Sequence, residues 1–192
     1  MRLLIFFLII FNLSCKNDTQ EIAIVVHGGA GTILKKNMTE QMEEDYKSKL
    51  EEAILAGFSI LENNGSSIDA VERTIKILED SDLFNAGRGS VLSYDGIVEM
   101  DASIMDGSNL NAGAVTGIKT IKNPISAAKL VMEKSDHVLL SGKGAESFAF
   151  ANGLEFIDNK YFITDKRLNS LNKAKQRDSI VDNKYGTVGC VA

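Results

Sequence analysis

The sequence predicts an α+β fold, and three observations predict it. Apolar residues recur at helical three- and four-residue steps from about Thr39 to Asn63, and again from Ser67 to Leu78. The pair Asp95-Gly96 sits between two β-type runs, a strong signal for a two-residue hairpin and so for antiparallel pairing. A second turn, Asp106-Gly107-Ser108-Asn109, leads into a Gly/Ala/Val-rich run, which makes three consecutive antiparallel strands. The length of 192 residues, with 44% hydrophobic and 24% charged, is that of roughly one globular domain. A net charge of -5 provides no basic footprint for nucleic acid.

The elements follow in order. Arg2 precedes an apolar run from Leu3 to Leu13, which as a helix reaches only about 17 Å against a hydrocarbon core of about 30 Å. Too short to span comfortably, it reads as the hydrophobic region of a signal peptide over residues 1–14, so the chain is expected to be exported. Leu13-Ser14-Cys15 resembles a bacterial lipobox, with Cys15 as the lipidation site and a periplasmic or lipid-anchored location; a plain signal peptide and a buried N-terminal strand are the alternatives. Residues 15–21 then form a polar tether.

Ile22 to Val26 reads as a buried strand that runs into the Gly-rich turn His27-Gly28-Gly29-Ala30-Gly31. That turn has neither the Gly-x-Gly-x-x-Gly spacing of dinucleotide sites nor the lysine of a P-loop, so phosphate binding is not predicted. His27 reads as a hydrogen-bonded structural histidine, with a catalytic base as the alternative. In the helix over 39–63, Met42, Tyr46, Leu50, Ile54 and Leu61 mark the apolar stripe; Asn63-Asn64-Gly65 stops it, and Ser66 and Ser67 cap the next helix. From Glu79 to Gly89 the chain is too polar for core and too irregular for a helix, which predicts a functional loop. Its Asn85 carries an amide donor and a carbonyl acceptor, able either to polarise a substrate carbonyl or to bond its own turn.

Strands are predicted over 90–94, 97–105 and 110–121. Glu99 and Asp101 alternate on one strand face and Asp106 belongs to a turn, so the three carboxylates do not read as a metal cluster. Asn123-Pro124 places an N-cap and a Pro at the first helical position of a helix to about Glu133. A short strand at 137–140 and a helix over 144–152, closed by Gly153, come next. His137 reads as exposed. Residues 165–186 are mostly Lys, Arg, Asp, Asn and Ser and read as a flexible linker or partial helix.

The linker ends in Gly186-Thr187-Val188-Gly189-Cys190. Thr187 is either an ordinary strand-opening residue or a nucleophile released by scission of the Gly186–Thr187 bond. Scission would leave the hydroxyl beside a free α-amine with a pKa near 7.7–8.0, roughly a tenth to a fifth unprotonated at pH 7, which can act as its general base. Cys15 and Cys190 are the two cysteines, without metal-ligand spacing, and Cys190 reads as a small core residue.

Six motifs occur in order: Val25-Val26-His27-Gly28-Gly29-Ala30-Gly31, Phe84-Asn85-Ala86-Gly87-Arg88-Gly89, Met100 to Gly107, Ala112-Gly113-Ala114-Val115, Asn123-Pro124-Ile125 and Gly186-Thr187-Val188-Gly189. Together they resemble the plant-type L-asparaginase / isoaspartyl peptidase family of N-terminal nucleophile hydrolases, over about Ile22 to Ala192. The resemblance implies a precursor that cuts itself at Gly186–Thr187, and a four-layer αββα sandwich to which residues 22–164 contribute the α-subunit half. Residues 187–192 would begin the β-subunit. By the same resemblance Thr187 is the catalytic nucleophile, Asn85 lies on the substrate side, and His27, Gly28 and Gly29 lie near the processing bond. Main-chain carbonyls of Leu78, Glu79, Ser81, Phe84, Ala86 and Arg88 would hold a structural sodium ion, with no cofactor needed for catalysis.

Substrates implied are asparagine and β-aspartyl dipeptides, with an (αβ)2 dimer as the complete protein. The family's β-subunit is absent after Ala192, so this chain by itself is expected to be inactive and to leave an apolar sheet face in need of a partner. A glycosylasparaginase-like hydrolase and a non-catalytic exported lipoprotein are the alternative readings.

Overall fold

The computed structural model describes residues 21–29, 35, 38–176 and 187–192. The signal-peptide run, Cys15, most of the polar tether, Ala30, Gly31, residues 177–186 of the expected linker and Gly186 itself lie outside the described residues.

In chain order the elements are β1 (Val25–His27), α1 (Glu40–Glu62), α2 (Ser67–Glu79), β2 (Met100–Met105), β3 (Ala112–Ile118), α3 (Pro124–Lys134), β4 (Leu139–Ser141), α4 (Gly142–Ala151), a single 3-10 turn (Asn159–Phe162), α5 (Asp165–Gln176) and β5 (Gly189–Val191). The Thr39 hydroxyl accepts the Met42 N–H at 3.1 Å and starts α1, and Ser66 does the same for α2 through the Asp69 N–H at 3.1 Å. Helix α3 begins differently from expectation. Pro124 is its first residue, but the Asn123 side chain makes no cap bond and donates instead to Asp80 Oδ1 at 3.1 Å.

Glu79 does the capping of α3 instead. Its Oε1 accepts the Ile125 N–H at 2.9 Å, from the last residue of α2, across 46 positions of sequence. The carboxyl is only 3% exposed, and Oε2 is buried without a hydrogen-bond partner among the described residues. Burial therefore pushes its pKa up to about 8, against the weaker opposing pull of the Ile125 N–H and the Asn123 amide. Lys129 of α3 also reaches back to α2, 2.9 Å from Glu72.

Two sheets form. In the larger, the order is β2-β3-β4, with β2 and β3 antiparallel and β3 and β4 parallel across the α3 crossover. One face alternates inward through Met100, Ile104, Gly113 and Val115 and packs on α3. Gly113 sits where β3 crosses α3 so closely that a Cβ would collide with Ala128 O and the Met132 amide. Side chains larger than hydrogen cannot stand there. In the smaller sheet β1 pairs antiparallel with β5, in the register Val25↔Val191, Val26↔Cys190 and His27↔Gly189.

Several expectations are corrected. The strand before the Asp95-Gly96 turn reduces to one antiparallel bridge, Leu92↔Val98, because the Asn159 amide takes both Val98 N–H (3.1 Å) and Val98 O (2.9 Å). The first strand is not buried: Val25 is 67% exposed, since β1 is half of a two-stranded ribbon. The open face of the larger sheet is not broadly apolar either; Asp101, Ser103, Ala114 and Thr116 lie on it, with Met105 and Leu139 as exposed apolar residues toward its end. Of the stretch read as a flexible linker or partial helix, residues 165–176 take the second form as helix α5.

Gly113→Ala should lower stability by about 2–3 kcal/mol through overpacking, whereas Gly107→Ala, with nothing within 4 Å of the new methyl, should stay within about 0.5 kcal/mol in thermal or urea unfolding. Glu79 binds a proton more tightly folded than unfolded, so its stabilising contribution is complete below about pH 4.5 and is lost as pH rises toward 8. Urea midpoints at pH 5 and pH 8 should fall along a limb of at most about 1.4 kcal/mol per pH unit, and Glu79→Gln should flatten that limb.

Candidate active site

A cleft of about 780 Å3 opens between the uncovered face of the larger sheet and the β5 ribbon. Helix α2 with the loop that follows it, strands β2, β3 and β4, the start of α3, and residues 187–190 meet there.

Thr187 reaches the cleft because its downstream neighbours are anchored. Val188 and Cys190 pack against the core, and β5 lies on α2 as well as beside β1. The half-buried Cys190 thiol meets Thr74 of α2; burial raises its pKa, and the Thr74 hydroxyl partly offsets that. Thr74 itself is fully buried and donates to Ala53 O at 3.2 Å, so the contact is anchored in two helices. Cys190 is thus the core residue its surroundings in the sequence imply, and its burial leaves Thr187 on the exposed side. Among the described residues the Thr187 hydroxyl meets its neighbour's carbonyl, Val188 O, at a long 3.5 Å.

Asn85 enters from the loop after α2. Its Oδ1 accepts the Val91 N–H at 2.8 Å, which fixes the sense of the amide. Asn85 thus braces its own loop and also lines the cleft with Thr187. The loop closes through two positive-φ glycines, Gly87 at +48° and Gly89 at +133°. At both, neighbouring carbonyls crowd the space of a side chain: Phe84 O and Asp82 O would lie 2.7 and 2.9 Å from a Cβ on Gly89.

The glycine-rich turn runs beside residues 187–190, and its described residues are not among those lining the cleft. His27 pairs with Gly189 in the β1–β5 ladder, two residues from Thr187, and Gly29 follows with φ +115°. His27 is exposed and held as a strand residue. Gly28 packs beside Leu50 and Phe84.

Acidic groups on the sheet side are matched individually. Glu99 pairs with Lys119 at 2.7 Å, and Asp101 Oδ1 accepts the Thr116 hydroxyl at 2.6 Å and the Gly117 N–H at 2.8 Å. Asp106, outside the cleft lining, is held low by donors from Ser108 and Asn109. Among the described residues no group of three or more His, Cys, Asp or Glu could hold a metal ion. Main-chain oxygen is another matter. Leu78 O accepts the Ser81 N–H at 3.2 Å and also meets the Asp80 N–H of the α2 C-cap, while Glu79 O accepts the Arg88 N–H at 2.7 Å. The carbonyl oxygens of Phe84 and Asp82 crowd Gly89, and oxygen donors of this type are the ligands a hard cation takes.

Sequence reading missed the Glu79 side chain, although a signal existed. Glu79 lies four residues after Ile75 and so continues the buried face of α2. It also missed Arg167, whose Nε donates to Gly89 O at 2.5 Å from α5. The compositional bias of that stretch hid the contact.

A family profile described as Asparaginase matches residues 20–192. The chain is 48% identical over 169 residues to the probable isoaspartyl peptidase/L-asparaginase 2 of Arabidopsis thaliana, covering 88% of this chain and 51% of that protein. It is 52% identical over 155 residues to the plant-type L-asparaginase of Thermococcus kodakarensis (81% and 48%). To the isoaspartyl peptidase of Escherichia coli it is 41% identical over 179 residues (88% and 56%). The chain spans about half the length of the curated relatives it matches. By the extent of the profile match and the level of these identities, the chain belongs to the asparaginase family, a family of N-terminal nucleophile hydrolases.

Proposed function

We propose that the complete protein is a threonine-nucleophile amidohydrolase that acts on L-asparagine, on β-aspartyl dipeptides, or on both. The relatives named as asparaginases and isoaspartyl peptidases support the substrate class. The observation that carries the reading is that Thr187 and Asn85 line one cleft, although about a hundred residues of chain separate them.

In the precursor the Thr187 hydroxyl attacks the Gly186 carbonyl carbon. The peptide C–N bond breaks as an ester forms and the hydroxyl proton passes to the nitrogen, which frees the Thr187 amine; water then hydrolyses the ester to the Gly186 carboxylate and the Thr187 hydroxyl. That amine next takes the proton from its own hydroxyl, which attacks the side-chain amide carbon of asparagine. Ammonia leaves with a proton, and a second water hydrolyses the acyl-enzyme to aspartate. On a β-aspartyl dipeptide the leaving amine is that of the second residue. Asn85, oriented through Val91, stands on the substrate side, where an amide donor stabilises charge developing on the carbonyl oxygen.

A sodium ion, where bound, would be held by main-chain carbonyls of Leu78, Glu79, Ser81, Phe84, Ala86 and Arg88, and would stiffen the loop without entering the chemistry. We read the open face of the larger sheet as the surface on which the β-subunit completes the sandwich, in an (αβ)2 dimer, so that activity belongs to the complete protein rather than to these 192 residues. We further read the N-terminal run as an export signal, with Cys15 as the lipid-bearing residue.

Thr187→Ala in the complete precursor should leave a single uncut polypeptide by intact-mass spectrometry. Ammonia release from asparagine should fall by about a thousandfold or more. A variant that still splits at Gly186–Thr187 and turns over normally would remove Thr187 from the mechanism.

A further inference from the structure

Helix α5 is docked on the molecule rather than lying free on it. Lys166 stands 5.7 Å from the centroid of the Tyr46 ring, with Nζ 3.3 Å from the Tyr46 hydroxyl. Leu171 Cδ2 lies over Gly96, and Lys175 sits 4.6 Å above the Tyr94 ring. Contacts of this kind contribute about 0.5–1 kcal/mol each at exposed sites, enough to seat a helix that carries no fully buried residue.

Between Lys166 and Lys175 one contact differs in kind. Arg167 is half-buried, and its Nε donates to Gly89 O at 2.5 Å. Gly89 has φ +133°, a conformation without side-chain support, so its peptide plane is held by what bonds to it. Two residues on, the Val91 N–H donates to Asn85 Oδ1. The Gly89 carbonyl and the Val91 amide are therefore successive points on one short arc. The first is fixed from α5, and the second fixes the Asn85 amide. Tyr46 holds the other limb of the loop, donating to Leu83 O at 2.7 Å, and Lys166 contacts that same tyrosine.

We propose that Arg167 is a positioning residue for the candidate active site: from α5 it clamps the Gly89 carbonyl and so sets the orientation in which Asn85 meets the substrate. A charged donor to a partly desolvated carbonyl is stronger than a neutral one, which suits it to hold a glycine plane. The helix that leads toward the Gly186–Thr187 segment thereby braces the opposite wall of the same cleft. The catalytic half of this inference rests on the proposed function; the structural half does not.

The test has two arms. In the present chain, amide hydrogen exchange at Ser90 and Val91 is followed in Arg167→Met, in Arg167→Lys and in Lys175→Met. Arg167→Met should speed exchange at Val91 at least tenfold with α2 and α3 protection unchanged. Arg167→Lys, which keeps a charged donor, should recover most of the protection. Lys175→Met, which loosens only the far end of α5, should leave Val91 as it is. Unchanged exchange in Arg167→Met, or an equal effect of Lys175→Met, overturns the clamp. If Arg167→Met melts globally, the contrast between Arg167→Lys and Lys175→Met decides instead. In the complete enzyme, Arg167→Met should lower kcat for asparagine about tenfold with KM within about twofold, and Arg167→Lys should restore it. Faster exchange with kcat unchanged overturns the positioning role. Absence of turnover in the unsubstituted enzyme would count against the proposed function, and the exchange arm would still decide the clamp.

Discussion

A carboxyl group in a dry interior organises this molecule. Glu79 ends α2, caps α3 in place of Asn123, and begins the loop that carries Asn85, all with one buried side chain. Such a group costs several kcal/mol when charged and unpaired, and much less when it keeps its proton. The shift of its pKa to about 8 is the thermodynamic trace of that choice. Two helices and the wall of a cleft are thereby referred to a single point, and loop geometry downstream depends on it.

The second constraint is the ribbon of β1 and β5. Three ladder positions join residues 25–27 to 189–191 across nearly the whole chain. Alone, such a ribbon is marginal, and it persists because Val188 and Cys190 find the core and α2 beneath them. The consequence for chemistry is direct. A hydroxyl two residues upstream of the ladder is held at the cleft rim.

Glycines mark the other close approaches. Gly113 lets β3 touch the α3 backbone, and Gly87 and Gly89 let the α2–β2 loop fold its own carbonyls inward. The curl so formed is polar yet compact, and α5 seals it from outside through Arg167 and Lys166. The walls of the cleft are thus stiffened by interactions outside it.

Helix positions were legible in the sequence because an amphipathic period and a hydroxyl cap are local properties: Thr39 and Ser66 bond backbone amides three residues away, as their spacing implies. Thr187, Asn85 and the His27 turn could be named as candidates for the same reason, since hydroxyls, amides and glycine runs are recognised by residue type. Which of them share a cleft was not. Strand β4 running parallel to β3, the Asn159 amide replacing a hairpin ladder at Val98, the carboxyl of Glu79 buried beneath α3, and α5 forming from a lysine-rich stretch all depend on partners 40 or more residues away, except the crossover that sets β4. Residue type and period determine local structure and candidate chemistry. Desolvation and long-range hydrogen bonding, which exist only once the chain is packed, decide where those groups meet.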